Sequence, residues 1–320
     1  MNAFRWFVLL LVPALGGACD RRHGVPAPQP ITIVTGWTGG AFYPLGAALA
    51  DLYNREIPGV QATAKFTEAS AFNVQAIQSG QAEVGFSQSD VAYSAFTRGM
   101  RTGEEPYTRL RSVAVLYVNT VQFVVRKASG IRSLADLRGR RIGVGGEPGS
   151  GTETAARTII ESYGLGYQDV TPAFGSFAEV ADGVRTGTLD AAIVVSSYPV
   201  TAITDVHEPS QVELLSVDDE AVHRIRSRFP FFKSVVIPQG TYRGQDRDIR
   251  TIGVDNLLIC RDTLPESLVY GMTRAFFEAL PRLAQEHVTA RMIDAEQAPA
   301  TPIPLHPGAA RYYRERELFR

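Results

Sequence analysis

Residues 31–53 read ITIVTGWTGGAFYPLGAALADLY, which predicts a strand, a glycine-rich loop and a helix in that order. Residues 31–35 are rich in β-branched side chains, as in a strand. Residues 36–40, GWTGG, form the loop. Apolar side chains then recur at helical spacing from residue 42 to residue 53, and Pro44 is tolerated because it falls in the first helical turn.

The same alternation continues after this segment. Residues 60–66 predict a second strand, and a helix capped by Ser70 is stopped by Gly80. Residues 82–86 predict a third strand that leads into the polar loop 87–90. The order β-α-β-α-β predicts a mainly parallel sheet that is covered by helices.

A second, similar unit follows the β-rich run at residues 113–125. Its signals are a capping pattern from Ser133 closed by Gly139, a strand at 141–144, a helix at 154–163, a capping box at 176–179 and an apolar strand at 189–195. A strand at 251–260 and a helix at 265–284 come last, and Pro281 is expected to kink or end that helix. Two α/β units in series are therefore predicted.

Composition excludes several classes of protein. The 320 residues suffice for about two domains at ~150 residues each. The 32 basic and 33 acidic side chains give a net charge of −1, which argues against nucleic acid as a partner. Two cysteines and five histidines without close spacing exclude a structural zinc site, and no metal or cofactor is expected.

The first 18 residues predict a secretory signal peptide. An apolar run at residues 6–12 is interrupted by Pro13 and is shorter than the ~20 residues of a membrane-spanning helix. Residues 16–18, GGA, resemble a bacterial lipobox before Cys19, although Gly16 takes the usual aliphatic position. Lipidation of Cys19 and ordinary cleavage after Ala18 both stay open. Residues 19–30, with three prolines, predict an extended tether.

Four loops lie where a parallel sheet binds ligands, beyond the carboxyl ends of strands and at helix N-termini. They are residues 36–43, 87–90, 145–153 and 196–199. For the first, second and fourth, the alternative is a plain turn or helix cap.

The loop at 145–152, GGEPGSGT, has the most specific pattern. Gly146 and Gly151 are spaced as in a nucleotide-binding loop, but Thr152 replaces the required lysine, which argues against nucleoside triphosphates. Its glycines, with the Ser150 and Thr152 hydroxyls at a helix start, predict a site for a small anion such as a carboxylate. The alternative is that Ser150 only caps its helix together with Glu153, and the spacing favours neither.

Catalytic patterns are missing from the sequence. Ser150 does not lie in a G-x-S-x-G elbow, because Glu147 and Pro148 precede Gly149. Cys260 falls within an apolar strand and is predicted to be a buried thiol. The histidines are predicted to be solvated surface groups: His23, His207, His223, His287 and His306. We therefore expect a protein that is not an enzyme.

Six motifs in this order resemble the TAXI family of periplasmic solute-binding proteins, the receptor components of TRAP transporters. They are TGWTGGAFYPLG (35–46), QSGQAEVGFSQSD (78–90), PGSGTE (148–153), YP (198–199), IPQGTY (237–242) and LHPGA (305–309). The resemblance covers about residues 31–313. It implies a two-lobe α/β fold like the type II periplasmic binding proteins, with mainly parallel sheets, helices on both faces and crossing hinge strands.

The resemblance also implies how the chain divides. Lobe 1 comprises residues 31–118 and 253–320, and lobe 2 comprises residues 119–252. Residues 113–125 and 249–254 are the implied crossovers. One solute is then held in the cleft between the lobes.

Small carboxylates such as glutamate, glutamine or 2-oxoglutarate are the ligands that the resemblance implies. The implied solute contacts are Thr38, Gly39, Tyr43, Gln88, Ser89, Tyr117, Ser150, Gly151, Thr152 and Ser197. Phe42 stands where many members have a tyrosine, and Ser196 and Ser197 replace the small residues expected before Tyr198.

The implied activity is capture of the solute outside the cytoplasmic membrane and its delivery to the membrane subunits of a TRAP permease. The protein is expected in the periplasm or at the outer face of the cytoplasmic membrane, as a monomer that touches the membrane only through a lipid on Cys19. The alternative is a sensory binding protein that reports its ligand to a membrane signalling partner.

Overall fold

The computed structural model describes residues 29–37, 41–101, 103–206, 211–229 and 231–318. Its strands are β1 (Gln29–Val34), β2 (Val60–Lys65), β3 (Val84–Gln88), β4 (Leu110–Arg126), β5 (Arg141–Gly143), β6 (Thr171–Ala173), β7 (Ala191–Ser196), β8 (Val212–Leu215), β9 (Phe232–Ile237) and β10 (Ile249–Arg261). Its α-helices are α1 (Phe42–Glu56), α2 (Ser70–Ser79), α3 (Ser89–Arg98), α4 (Gly151–Ser162), α5 (Phe177–Thr186), α6 (Thr201–Val206), α7 (Asp219–Arg228), α8 (Glu266–Glu286) and α9 (Pro307–Glu315). Short 3₁₀ helices lie at Lys127–Ser129, Leu134–Leu137 and Val288–Met292.

The strands form one mixed sheet in which two parallel groups flank two long antiparallel strands. In the first group β1 pairs parallel with β2 and β3, and in the second β5 pairs parallel with β6 and β7. The long strands β4 and β10 pair with each other between the groups. The α/β class with crossing strands is therefore confirmed.

Helices cover both faces of the sheet in each half. Along β10, Leu258 and Cys260 enter one buried cluster with α1, α8 and α9, whereas Leu257 and Ile259 enter another with α2 and α3. Neighbouring side chains of a strand point to opposite faces, so the two clusters lie on opposite sides of the sheet. Cys260 is fully buried, as predicted.

The buried clusters change along both long strands. Those of the first half include residues of β4 up to Tyr117 and of β10 from Leu257. The clusters of the second half include residues of β4 from Val121 onward and residues of β10 up to Val254. This separation supports a lobe 1 of residues 31–118 with 253–320 and a lobe 2 of residues 119–252, a division that stays a prediction.

Local signals in the sequence placed several helix ends correctly. Ser176 and Glu179 form the predicted capping box of α5, and Ser133 forms one with Asp136. Gly80 ends α2 in the left-handed region with φ 80°, where glycine has no Cβ penalty.

One prediction about a helix start was wrong. Ser70 does not cap α2, because it is the first residue of the helix and its Oγ instead accepts a hydrogen bond from the Gln88 N–H at 3.0 Å. The predicted helix at 265–284 is present as α8, which passes Pro281 and continues to Glu286, so Pro281 does not end it. Pro281 lies on the exposed face, and burial of Leu283 in the core favours continuation of the helix.

The prediction for His306 was also wrong. This side chain is buried, and its Nδ1 accepts the Gly308 N–H at the start of α9 at 3.2 Å. Burial lowers the pKa of the His306 imidazole. His223 is exposed and His287 is half-buried, whereas His23 and His207 lie outside the described residues.

No helix within the part of the chain that the structure describes has the length and apolar character needed to cross a membrane. The predicted signal peptide (1–18) and the lipobox Cys19 lie outside the described residues. The same holds for the predicted tether (19–30), except that Gln29 and Pro30 belong to β1.

Candidate functional site

The carboxyl ends of β1 and β3 are fixed side by side by Asn73 of α2. Asn73 is fully buried, and its Nδ2 donates to the carbonyl oxygens of Thr35 at 2.6 Å and Phe86 at 2.7 Å. Its Oδ1 accepts from Thr67 Oγ1 at 2.7 Å. One side chain therefore holds the two strand ends from which the loops of the first half begin.

Helix α3 follows β3 without a loop, so the prediction of a loop at residues 87–90 was wrong. Gln88 is both the last residue of β3 and the N-cap of α3, and its side chain makes no capping hydrogen bond. Ser89 begins the helix and is 1% exposed, yet its Oγ has no hydrogen-bond partner among the described residues. The first turn of α3 thus keeps unused polar groups.

Asp90 adds a buried carboxyl group to this turn. It is 2% exposed, its Oδ1 accepts the Val91 N–H at 2.8 Å, and its Oδ2 has no partner among the described residues. Burial raises the pKa of this carboxyl to about 7, although the hydrogen bond from the backbone opposes the rise.

This raised pKa predicts a pH-dependent stability. A carboxyl whose folded pKa lies above its unfolded value contributes stability at low pH and loses it as pH rises through the folded pKa of about 7. We expect Asp90→Asn to raise the melting temperature at pH 8 by a few degrees relative to wild type, and to give little gain at pH 4. Asp182→Asn, at an exposed position, is the control and should show no such pH-dependent difference. Equal effects of Asp90→Asn at both pH values would contradict the buried, titrating carboxyl.

In the second half, the loop between β5 and α4 ends in a capped helix start. Ser150 is the N-cap of α4, and its Oγ accepts the Glu153 N–H at 3.3 Å. The Glu153 carboxylate accepts from the Gly149 N–H and from Arg157 Nη2, both at 2.8 Å. The capping alternative for Ser150 is thus present in the structure, and the charge of Glu153 is paired within its own helix.

Thr152 and Gly145 bring this loop close to the sheet. Gly145 has φ 104°, and a Cβ there would lie 2.6 Å from Thr152 Cγ2, so the close approach requires glycine. Thr152 is buried, and its Oγ1 donates to the Val195 carbonyl at the end of β7 at 3.5 Å. The start of α4 therefore lies against the end of β7.

The starts of α3 and α4 meet across the two halves of the molecule. Gln88 Nε2 donates to the Gly151 carbonyl oxygen at 3.3 Å. A Cβ on Gly151 would lie 2.1 Å from Gln88 Oε1, so the carboxamide packs directly on the glycine. Two helix N-termini, each with a partial positive charge, are thereby brought together at one point.

Polar side chains of the long strands lie next to this contact, and the sequence reasoning did not select them. Asn256 of β10 is paired with Gln88 across the sheet. Its Oδ1 accepts from Asn119 Nδ2 of β4, and its Nδ2 donates to the Tyr117 carbonyl, both at 3.1 Å. The available signal was the occurrence of asparagines within strands that are otherwise apolar.

An ion pair lies beside them. Lys233 Nζ of β9 is 2.7 Å from Asp255 Oδ2 of β10. Burial raises the pKa of the Asp255 carboxyl, and the hydrogen bond and charge of Lys233 oppose this shift. The Lys233 ammonium group is therefore already paired with a carboxylate.

The structure brings together half of the ten predicted contact residues. Gln88 contacts Gly151, and Ser89, Ser150 and Thr152 are the chain neighbours of these two residues at the starts of α3 and α4. Ser197 is half-buried directly after β7, and the neighbouring Ser196 carbonyl accepts from Gln122 Nε2 at 3.3 Å.

Of the four remaining predicted residues, the structure describes two. Tyr43 is half-buried in the first turn of α1, and Tyr117 is buried among the core side chains of the first half. Phe42 stacks on Phe86 with ring centroids 5.2 Å apart. Thr38 and Gly39 lie outside the described residues.

Solved structures with similar folds include binding proteins. The alkanesulfonate-binding protein SsuA from Xanthomonas axonopodis pv. citri, bound to MOPS, matches 91% of this chain and 84% of its own, with 16% identity and a TM-score of 0.50. A protein from Bordetella bronchiseptica RB50 matches 91% of this chain and 89% of its own, with 17% identity and a TM-score of 0.53. A candidate L-cystine ABC transporter protein from Listeria monocytogenes matches 84% of this chain and 98% of its own, with 14% identity and a TM-score of 0.50.

At sequence identities of 14% to 17%, these similarities show a shared fold only. The sequence itself also matches a family profile, and the match spans residues 33–316, nearly all of the described chain. The chain belongs to the NMT1-like family.

Proposed function

We propose that the protein is an extracytoplasmic solute-binding receptor that captures a small carboxylate between its two lobes and delivers it to a TRAP-type membrane permease. The observation that carries the proposal is the meeting of the α3 and α4 N-termini, joined from Gln88 Nε2 to the Gly151 carbonyl at 3.3 Å. The fold likeness to an alkanesulfonate-binding protein, whose ligand class is also anionic, supports it.

The hydrogen-bond donors at the starts of α3 and α4 are uncharged. Helix N-termini offer backbone N–H groups and a partial positive charge, which favour a small anion. Ser89 Oγ is buried without a partner among the described residues and is available to an additional acceptor. The nearby charges of Glu153 and Lys233 are paired with Arg157 and Asp255. Binding by dipoles and hydroxyl groups, rather than by an arginine fork, follows from this arrangement.

Closure is the second part of the proposal. Residues 31–118 with 253–320 form lobe 1, residues 119–252 form lobe 2, and β4 and β10 connect them. The solute contacts are then Gln88 and Ser89 from lobe 1, and Ser150, Gly151, Thr152 and Ser197 from lobe 2. Thr38, Gly39, Tyr43 and Tyr117 complete the proposed set.

The proposed setting is the periplasm or the outer face of the cytoplasmic membrane. The protein acts there as a monomer without catalytic activity, and lipidation of Cys19 would tether it to the membrane. Its partners are the solute and the membrane subunits of the permease.

Calorimetric titration tests the ligand class. The purified protein is titrated with glutamate, glutamine, 2-oxoglutarate and succinate, and with a neutral sugar as control. We expect saturable binding of at least one carboxylate and none of the sugar. Binding of the sugar without any carboxylate would contradict the proposal.

Deletion of the Ser150 hydroxyl separates solute binding from helix capping. The Ser150 Oγ accepts the Glu153 N–H and keeps its own proton to donate, so Ser150→Ala is expected to weaken binding of the carboxylate by about tenfold, as the loss of one hydrogen bond implies. Loss of the Ser150 cap should also cost about 1 kcal/mol of stability. Affinity is measured by calorimetry and stability by thermal unfolding.

Ser176→Ala is the matched control for the Ser150 variant. Ser176 caps α5 through the Glu179 N–H at 3.3 Å, the same distance as in the cap of α4. It should lose similar stability and keep its affinity. An affinity loss in Ser176→Ala equal to that in Ser150→Ala would favour a purely structural role for Ser150.

A further inference from the structure

Four aromatic side chains are exposed near the strand ends that carry the candidate site. They are 43% to 58% exposed and form what we call the aromatic rim: Trp37, Phe66, Phe72 and Phe174. Phe66 and Phe174 directly follow β2 and β6, and Trp37 is the third residue after β1. Among the described residues the only other exposed aromatic side chain is Tyr93 of α3. Exposed rings are therefore concentrated at the carboxyl ends of strands, where parallel sheets bind ligands.

In the first half of the molecule, two rings of the aromatic rim pack on each other. Trp37 lies edge-on against Phe66, with ring centroids 5.0 Å apart. Just before these residues, the Thr35 N–H and Oγ1 both donate to the Lys65 carbonyl oxygen, at 3.0 and 2.7 Å, and so join the ends of β1 and β2. The two rings therefore form one continuous apolar surface.

The aromatic rim continues to the start of α2. A Cβ on Gly36 would lie 3.5 Å from Ala69 Cβ, so the segment that leads to Trp37 packs on the residue that precedes this helix. Phe72 is the third residue of α2. Because helical side chains point back toward the N-terminus of their helix, the Phe72 ring extends toward the same edge of the sheet.

The start of α2 also borders the candidate site in both halves. Ser70 Oγ accepts the Gln88 N–H at 3.0 Å. A Cβ on Gly149 of the second half would lie 3.8 Å from Ala71 Cβ. The helix that carries Phe72 therefore lies against the end of β3 and against the loop that leads to α4.

Phe174 places the aromatic rim in the second half as well. The N–H of its neighbour Gly175 donates to the Gly145 carbonyl at 2.8 Å, in the loop between β5 and α4. Neighbouring strands of a sheet lie about 4.8 Å apart. In the sheet order, β1 and β2 are the first and second neighbours of β3, and β6 is the neighbour of β5. The rim thus begins one or two strand spacings from the strands that lead to α3 and α4.

The candidate site and the aromatic rim offer two different environments to one solute. The N–H and hydroxyl groups at the starts of α3 and α4 suit a carboxylate. Exposed rings gain free energy when apolar groups cover them and displace water. A second charged group on the solute would have to lie among these rings, where the loss of water disfavours charge.

We propose that the solute is a monocarboxylate with an apolar body, whose carboxylate lies at the starts of α3 and α4 and whose body covers the aromatic rim. The inference rests on the proposed function for the position of the carboxylate, and it narrows the class of solute. Dicarboxylates are then weaker ligands, because one of their two charges lies among the rings.

Trp37 reports directly on the aromatic rim. The chain has two tryptophans, so Trp6→Phe leaves Trp37 as the only one. This variant is titrated with octanoate, 4-phenylbutyrate and succinate, and both the heat of binding and the tryptophan emission are recorded. We expect octanoate and 4-phenylbutyrate to bind at least about tenfold more tightly than succinate. They should also shift the emission to shorter wavelength, because water leaves the ring, whereas succinate should shift it little.

Phe66→Ala tests whether the rings contribute to affinity. It should weaken octanoate binding by about fivefold and reduce the preference for octanoate over succinate. Val236→Ala is the control, because it removes a side chain of β9 that is 44% exposed, against 47% for Phe66. It should leave the affinity for octanoate unchanged.

The outcomes separate this inference from the proposed function. Succinate binding as tight as that of octanoate would overturn the inference and leave the proposed function standing. Octanoate binding that changes neither the Trp37 emission nor the affinity in Phe66→Ala would also overturn it, and would leave the aromatic rim as a surface for a partner protein. No binding of any of the three carboxylates would overturn the proposed function and the inference with it.

Discussion

Replacing Gly151 with alanine is expected to lower the affinity for the solute by about 10- to 100-fold, while the melting temperature stays close to that of wild type. The new Cβ would lie 2.1 Å from Gln88 Oε1 and 2.5 Å from Gln88 Cδ, so the carboxamide must move away from the opposite lobe. The fold should tolerate the change, because Gly151 begins α4 outside the left-handed region and alanine favours helix. Calorimetry with the carboxylate that binds wild type measures the effect.

A double-mutant cycle tests whether the clash with Gln88 causes the loss of affinity in Gly151→Ala. In a Gln88→Ala background the side chain that clashes is gone, so adding Gly151→Ala should have little further effect on affinity. The effects of the two substitutions on the binding free energy should therefore be strongly non-additive. Losses that simply add would show that Gly151 affects binding by a route other than its contact with Gln88.

Replacing Asn73 with alanine is expected to destabilise the protein by about 3–5 kcal/mol. The substitution removes the hydrogen bonds of Asn73 with the Thr35 and Phe86 carbonyl groups and with the Thr67 hydroxyl, and leaves the Thr35 carbonyl with only Thr67 Oγ1, 3.1 Å away, as a side-chain donor. Because the strands that Asn73 joins lead to the α1 and α3 starts, affinity should also fall in the fraction that remains folded. Denaturant unfolding and calorimetry at low temperature measure the two effects.

Asn54 provides the matched control for this substitution. Asn54 also makes two hydrogen bonds, from Nδ2 to the Ala62 carbonyl at 2.9 Å and to Oδ1 from the Ala62 N–H at 2.6 Å, but it is exposed and binds β2. Asn54→Ala should lose less stability and keep its affinity. Equal stability losses in the two variants would contradict the role assigned to buried Asn73.

Local patterns were enough to predict much of the fold. The β-branched run at 31–35, the box of Ser176 with Glu179 and the stop at Gly80 each depend on neighbouring residues, and the structure confirms all three. The local patterns did not predict the shorter or less regular strands. Strand β6 has three residues with Pro172 in the middle, and β8 has four.

The site depends on contacts that no local pattern contains. Gln88 and Gly151 are 63 positions apart, and Asn119 and Asn256 are 137 apart. They meet because β10 returns between β3 and β4. The sequence therefore predicted the helix starts that carry the candidate site. It did not predict that Gln88 would contact Gly151, or that Asp90 would be buried.

The most direct test of the central claim is calorimetric titration of wild type and Gly151→Ala, in parallel, with glutamate, glutamine, 2-oxoglutarate and succinate. The capture of a small carboxylate between the starts of α3 and α4 predicts saturable binding of at least one of them to wild type, and binding at least about tenfold weaker in the variant. Carboxylate binding that is the same in both proteins, or absent from wild type, would contradict it.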